Sequence, residues 1–145
     1  MKFSKIIFFV LLFSLSGCGG SNYLIKPEWD KSKLVTVNVY RTKTAFHSLN
    51  PEKPFFYIDG EQFAKLGTNS AITIKALPGK HTITVKEPFM FMPGYENARL
   101  EVNFEESKEY YIRYSKEASI IYGNGMITGE STIHIVNKEY YQQRK

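Results

Sequence analysis

Apolar and polar side chains alternate with a period of two over most of the chain after residue 33. The pattern is clearest in Val35–Arg41, where Val35, Val37 and Val39 alternate with Thr36, Asn38 and Tyr40, and in Leu100–Phe104, where every second side chain is apolar. Such alternation is typical of β-strands that bury one face and expose the other. It predicts further strands at Phe55–Ile58, Glu61–Leu66, Ile72–Lys75, His81–Lys86, Tyr110–Tyr114 and around Ile133 and Ile135. The chain therefore has seven or eight short strands and no convincing long helix.

Turn signals separate these strands at short intervals. Asp59-Gly60 lies between two short apolar runs and predicts a hairpin with a type I′ turn, in which both central residues have positive φ. Pro78-Gly79 predicts a type II turn, because Pro fixes φ at the second position and Gly allows positive φ at the third. Asn124-Gly125 is a candidate for another hairpin. The fold class predicted is all-β, an antiparallel β-sandwich, with a closed barrel as the alternative.

Four segments follow one another in this interpretation. Residues 1–17 form a signal peptide, residues 18–32 a tether that begins with Gly-Gly-Ser-Asn, residues 33–137 the sandwich, and residues 138–145 a polar tail that is either a short helix or frayed. Gly/Ser-rich sequences behave as flexible linkers. The chain is therefore expected to hold one folded domain behind a flexible amino-terminal segment.

The amino terminus has the three parts of a secretory signal. Lys2 and Lys5 precede the apolar run Ile6–Leu15, and small residues lead to Cys18. A membrane span needs about 20 apolar residues, whereas this run has ten and is interrupted by Ser14. A plain secretory signal is the rival interpretation. It would leave the single cysteine as an unpaired thiol in an oxidising compartment.

The segment Leu15-Ser16-Gly17-Cys18 resembles a lipobox, the recognition site of bacterial lipoproteins. The resemblance implies cleavage between Gly17 and Cys18, a thioether-linked diacylglyceryl group on Cys18 and an acylated amino terminus. Gly19 follows the cysteine in place of the Asp that retains lipoproteins at the inner membrane. An outer-membrane lipoprotein facing the periplasm is therefore expected, in a host with two membranes.

Composition limits the partners of the mature chain. Removal of residues 1–17 from the 145-residue chain leaves 128 residues, enough for one domain that buries a core without disulfides. The formal net charge of +5 falls to +3 because Lys2 and Lys5 are lost. The lysines are scattered and form no basic stripe, which argues against nucleic acid as a partner.

Four segments resemble the DUF2846 family, whose members are small bacterial lipoproteins of unknown function. They are Val37-Asn38-Val39-Tyr40-Arg41, Phe56-Tyr57-Ile58-Asp59-Gly60, Leu77-Pro78-Gly79-Lys80-His81-Thr82-Ile83 and Tyr110-Tyr111-Ile112-Arg113. The resemblance covers roughly Leu34 to Ile135, and its turn elements also recur in PEGA-type and carboxypeptidase-regulatory-like sandwiches. It implies a small Ig-like or transthyretin-like sandwich on a lipid anchor, without catalytic residues.

The sequence contains no set of residues typical of a catalytic or metal-binding site. The three histidines, His47, His81 and His134, are not paired at metal-ligand spacing. His81 shares a strand face with Ile83, so a structural role is predicted for it. The sequence has no nucleophile elbow and no phosphate-binding loop. We therefore expect no enzymatic activity, no metal and no cofactor apart from the covalent lipid on Cys18.

One apolar run is not explained by strand alternation. Between Pro88 and Tyr95, four consecutive large apolar residues precede Pro93, and the candidate partner-binding loop is formed by Phe89, Met90, Phe91, Met92 and Tyr95. Loops on a rigid scaffold often carry binding surfaces, and Met with aromatic residues forms an adaptable apolar one. The alternative is a plug that closes one end of the core. Ala45–Pro51 is a second candidate loop.

These observations lead to three functional hypotheses. The first is a membrane-anchored, non-enzymatic β-sandwich that binds an envelope protein or the cell wall in the periplasm. The second is a structural lipoprotein subunit of an envelope or secretion machine. The third is an enzyme acting on cell wall or lipid, which would need a cleft that holds two acids, or a histidine with an acid. The oligomeric state is not indicated by the sequence.

Overall fold

The computed structural model describes residues 25–43, 53–120 and 127–143, with residues 117–120 and 127–128 described by their backbone only. The elements are β1 (Val35–Arg41), β2 (Phe55–Ile58), β3 (Glu61–Lys65), β4 (Ala71–Ala76), β5 (Gly79–Phe89), β6 (Met92–Phe104), β7 (Glu109–Ile120), β8 (Ile127–Val136) and the helix α1 (Lys138–Gln142). Within these ranges no helix is long and apolar enough to span a bilayer.

The eight strands form two sheets of four strands each. The first sheet has the order β4-β1-β7-β8 and the second has the order β3-β2-β5-β6. All pairings are antiparallel except that of β1 with β7, which run parallel. The predicted all-β sandwich is confirmed. The parallel pair is a feature that strand periodicity alone does not reveal.

The core lies between the two sheets and is filled by the residues that the alternation places inward. The first sheet contributes Val35, Val37, Val39, Ile112 and Tyr114, and the second contributes Phe56, Phe63, Ile83 and Val85, all of them fully buried. The prediction that β1 is half-buried is wrong, since its outward residues Asn38 and Tyr40 are also buried. The reason is that β1 is a central strand whose outer face is partly covered by α1.

The predicted positive φ angles are present at Asp59, Gly60 and Gly79, and Gly79 is the first residue of β5. Asp59 and Gly60 have φ angles of 49° and 84°, which is the double positive φ of a type I′ hairpin turn between β2 and β3. Gly79 has a φ of 122°, in a region that L side chains rarely adopt. Strands β7 and β8 pair up to Ile120 and Ile127, but Asn124-Gly125 lies outside the described residues.

The connections give the sandwich two distinct ends. At the basal end, β1 begins beside the start of β7, and Gly79 pairs with Phe104. The β5–β6 and β7–β8 hairpins both run from there toward the opposite end, which we call the hairpin end. The segment that precedes β1 also lies at the basal end, because Lys26 Nζ is 3.9 Å from Oε2 of Glu61, just after the β2–β3 turn.

Residues Lys138–Gln142 of the predicted polar tail form a short helix, one of the two alternatives for this segment. Asn137 caps α1, since its side-chain oxygen accepts a hydrogen bond from the backbone nitrogen of Tyr140 at 2.7 Å. The helix folds back onto the outer face of the first sheet, where the ring of Tyr141 packs against Tyr40 and Tyr111 at centroid distances of 5.2 and 4.9 Å.

Candidate functional site

The apolar run between Pro88 and Tyr95 is the tip of the β5–β6 hairpin. Strand β5 continues to Phe89 and β6 begins at Met92, so only Met90 and Phe91 form the turn. The prediction that the whole run is a loop between two strands is therefore wrong, because most of it belongs to the strands themselves. The two strands persist through the run because their backbones pair with each other, as Phe89 does with Met92.

The two turn residues adopt a backbone conformation that is unfavourable for them. Met90 and Phe91 have φ angles of 50° and 64°, the left-handed region required at both positions of a type I′ turn. Asn-Gly is the preferred pair at such positions, and a left-handed conformation costs an ordinary L residue about 1–2 kcal/mol. The residues at this turn are therefore not those that would stabilise it best.

The side chains of the tip are displayed to solvent. The exposed fractions are 67% for Phe89, 76% for Met90, 77% for Phe91, 67% for Met92 and 71% for Tyr95. The alternative that this segment plugs the core is wrong. Because a large aromatic side chain carries roughly 150–250 Å², the tip exposes several hundred Å² of mostly apolar surface, the size of patch that marks interaction sites.

The base of the hairpin is tightly packed and irregular. The register between β5 and β6 shifts on both sides of Lys86, which places a bulge next to Glu87. A Cβ atom at Gly94 would lie 2.8 Å from the carbonyl oxygen of Glu87 and 3.2 Å from Cβ of Phe89. Only glycine allows the two strands to approach this closely immediately below the tip.

A buried polar cluster joins this hairpin to the first sheet. Nδ2 of Asn97 lies 2.9 Å from both the Tyr114 hydroxyl and Oγ of Ser131, and it also bonds Oε1 of Glu87. The same carboxylate oxygen accepts from the Tyr114 hydroxyl at 3.1 Å and pairs with Nζ of Lys116 at 3.1 Å. The cluster thereby links β5 and β6 to β7 and β8 across the sandwich.

Burial and charge alter the titration of two members of this region. Burial raises the pKa of Tyr114 to about 12, so its hydroxyl remains a donor at neutral pH. Burial lowers the pKa of the Arg41 guanidinium, and the negative charge of Glu87 opposes that lowering. Arg41 is 6% exposed and donates from Nη1 to the carbonyl oxygen of Leu66 at 3.0 Å. Glu87 thus interacts electrostatically with a buried cation, in addition to its hydrogen-bond donors.

His81 forms a pair with an acid, the arrangement that an enzyme hypothesis requires. Its Nδ1 lies 2.6 Å from Oδ2 of Asp59, and its Nε2 lies 2.9 Å from the carbonyl oxygen of Leu77. A carbonyl oxygen only accepts, so Nε2 carries a hydrogen in this contact. Both ring nitrogens are therefore used to hold two turns together, in agreement with the structural role predicted for His81.

Most of the other residues singled out in the sequence lie outside the part of the chain that the structure describes. Gly17, Cys18, His47 and the Ala45–Pro51 candidate lie outside the described residues. His134 is exposed on β8. Over the described ranges, no three His, Cys, Asp or Glu side chains are grouped so that they could hold a metal ion. The hairpin tip is thus the predicted site whose geometry can be described.

Comparisons with protein-family models, with curated proteins and with solved structures give no match for this chain. The resemblance to the DUF2846 family therefore stays a prediction from the sequence.

Proposed function

We propose that this protein is a lipid-anchored, non-enzymatic β-sandwich of the bacterial envelope that binds a partner through the tip of its β5–β6 hairpin. The observation that carries the proposal is the tip itself. Five large side chains, Phe89, Met90, Phe91, Met92 and Tyr95, are each at least two-thirds exposed. Two of them occupy turn positions at a conformational cost. A binding role accounts for apolar residues at positions where Asn and Gly would give a more stable turn.

The position of the tip relative to the proposed anchor supports this role. Seven residue steps separate Cys18 from Ile25, so the tether reaches at most about 25 Å when fully extended. Lys26, which follows these steps in the chain, lies at the basal end, whereas the tip lies at the hairpin end. At about 3.3 Å per residue, the part of β5 above Thr82 already rises a similar distance. An anchored domain standing on its basal end thus presents the tip away from the bilayer, toward a periplasmic partner.

The anchor can be tested on the residue that would carry it. Cys18→Ser is expected to abolish incorporation of labelled fatty acid and to leave the precursor uncut after Gly17, because no other thiol is present in the chain. Metabolic labelling and intact-mass measurement of the membrane fraction report both effects. Ser21→Ala, in the tether, is the control and should be labelled and processed normally. Continued labelling or processing of the Cys18→Ser chain would show that the lipoprotein assignment is wrong.

The tip can be tested with a variant that does not weaken the fold. Met90→Asn combined with Phe91→Gly places the preferred type I′ residues in the turn, so the free energy of unfolding should rise by roughly 1–2 kcal/mol. The same variant removes two of the five apolar side chains. In crosslinked envelopes it should lose the partner that co-purifies with the wild-type chain.

Ile135→Ser is the matched control for this test, since Ile135 is an exposed apolar residue (46%) remote from the tip. It should retain the partner. Equal capture by the wild-type chain and the tip variant would contradict binding through the tip. A partner that is retained at fixed stoichiometry whatever the tip sequence would instead favour the structural subunit of a larger machine.

A further inference from the structure

A groove on the outer face of the first sheet lies apart from the hairpin tip. It runs between the end of β1, the middle of β7 and the helix α1. Its lining residues are Tyr40, Thr42, Lys43, Arg113, Tyr140 and Gln143. The two sheet walls meet because β1 and β7 are parallel neighbours, with Tyr40 in register with Arg113. The third wall exists because Tyr141 packs α1 against Tyr40 and Tyr111.

The groove contains two cationic side chains, Lys43 and Arg113. Among the described residues, neither Lys43 nor Arg113 forms an ion pair, and the lining includes no carboxylate. The guanidinium of Arg113 lies over the ring of Tyr140, 5.5 Å from its centroid. That stacking holds the guanidinium against one wall of the groove.

One hydrogen-bond donor of Arg113 is unsatisfied. Its Nε atom is buried and has no hydrogen-bond partner within the part of the chain that the structure describes. Buried polar groups in folded proteins nearly always have a partner, and an unsatisfied donor is explained by strain, by a functional role or by an unseen water or ion. The nearest acid on the same strand face toward the basal end, Glu109, is already bonded to Nδ2 of Asn38 at 2.8 Å.

We propose that this groove binds a phosphate group. Arg113 offers a planar fork of donors that matches a phosphate, and Lys43 adds a second positive charge. The Thr42 hydroxyl and the Gln143 amide supply neutral donors of the kind that complete an oxyanion site. Two cations, with no acid among the described lining residues, suit a phosphate better than a singly charged carboxylate. The site depends neither on the lipid anchor nor on the hairpin tip.

Two phosphate sources fit this chemistry, and one titration distinguishes them. The probes are inorganic phosphate and glycerophosphoglycerol, the water-soluble headgroup of phosphatidylglycerol. The protein is extracted from the producing cells in non-ionic detergent. Each probe is titrated into it, and binding is measured by calorimetry. Tighter binding of glycerophosphoglycerol assigns the groove to a lipid headgroup, and tighter binding of inorganic phosphate assigns it to a free phosphate. Saturable binding of either probe is expected, and no saturable binding of either overturns the proposal.

Variants then locate the binding. Arg113→Met should weaken binding by about tenfold or more, since charge-assisted hydrogen bonds are lost. Arg113→Lys, which keeps the charge without the fork, should weaken it less. Arg99→Met is the control, because Arg99 is exposed on the other sheet and is paired with Glu96. Unchanged binding by a folded Arg113→Met chain, or equal losses in the Arg113 and Arg99 variants, would show that the phosphate binds elsewhere.

Discussion

Replacing Phe56 with alanine is expected to lower the free energy of unfolding by about 3–5 kcal/mol. Phe56 lies on β2 in the second sheet and is fully buried. Its ring meets that of Tyr114, from β7 in the first sheet, edge to face at a centroid distance of 5.3 Å. It also contacts Phe63 of β3 at 6.1 Å. Truncation thus leaves a cavity at the point where aromatic side chains of the two sheets meet.

The measurement is urea unfolding followed by far-ultraviolet circular dichroism, with the midpoint and slope fitted together. A loss of this size is a large part of the 5–15 kcal/mol that a domain typically has. Phe89→Ala is the matched control, because it makes the same chemical change at a side chain that is 67% exposed. It should change stability by less than about 0.5 kcal/mol. Similar losses for both variants would place the hairpin tip in the core and would contradict the proposed binding surface.

Removal of the Glu87 carboxylate is expected to have an effect of similar size. Glu87→Ala should cost about 3–5 kcal/mol, the usual result when one partner of a buried charge cluster is deleted. Arg41, 6% exposed, would lose its favourable electrostatic interaction with Glu87. Asn97 and Tyr114 would lose the oxygen that accepts their hydrogen bonds. Lys116 can turn toward solvent, because a third of its side chain is already exposed.

Glu87→Gln separates charge from hydrogen bonding. The amide keeps an oxygen that accepts from Asn97 and Tyr114 but removes the negative charge. The free energy of unfolding of Glu87→Gln should therefore lie between those of the wild-type chain and Glu87→Ala. Glu105→Gln is the matched control, since Glu105 is an exposed carboxylate paired with Lys108 at 2.7 Å. Its unfolding midpoint should be unchanged. If Glu87→Ala unfolds at the wild-type urea concentration, the cluster does not hold the hairpin to the first sheet.

Each predicted strand overlaps a strand of the structure, although several of the observed strands are longer than predicted. Val35–Arg41 and Phe55–Ile58 were predicted with the bounds that the structure has, and the Asp59-Gly60 turn has the predicted positive φ angles. Strand β5, in contrast, was predicted to end at Lys86 and runs to Phe89. Its last residue is exposed together with the first residue of β6. Because this part of the hairpin does not bury one face against the core, its side chains do not alternate between apolar and polar. The sequence therefore gives no sign that the strand continues.

The sequence predicts the two candidate sites to different extents. The apolar composition of the tip was visible in the chain, but its exposure was not, because a run of Phe and Met is equally suited to a core. The sequence gives no sign of the proposed phosphate groove. Its residues come from β1, β7 and α1, and only the fold brings Lys43 and Tyr140 to the same groove as Arg113. Cys18 lies outside the described residues, so the lipid anchor rests on the sequence alone.

By itself, the sequence determined the all-β class, the positions of most strands and the tight turns. These are local properties, because side-chain alternation and the φ angles of Asp and Gly act over a few neighbouring residues. Only the tertiary structure decided the parallel pairing of β1 with β7, the cluster around Glu87 and the display of the hairpin tip at the end opposite the tether. Each of these depends on contacts between residues far apart in the chain, whose partners are selected by the packing of the two sheets as a whole.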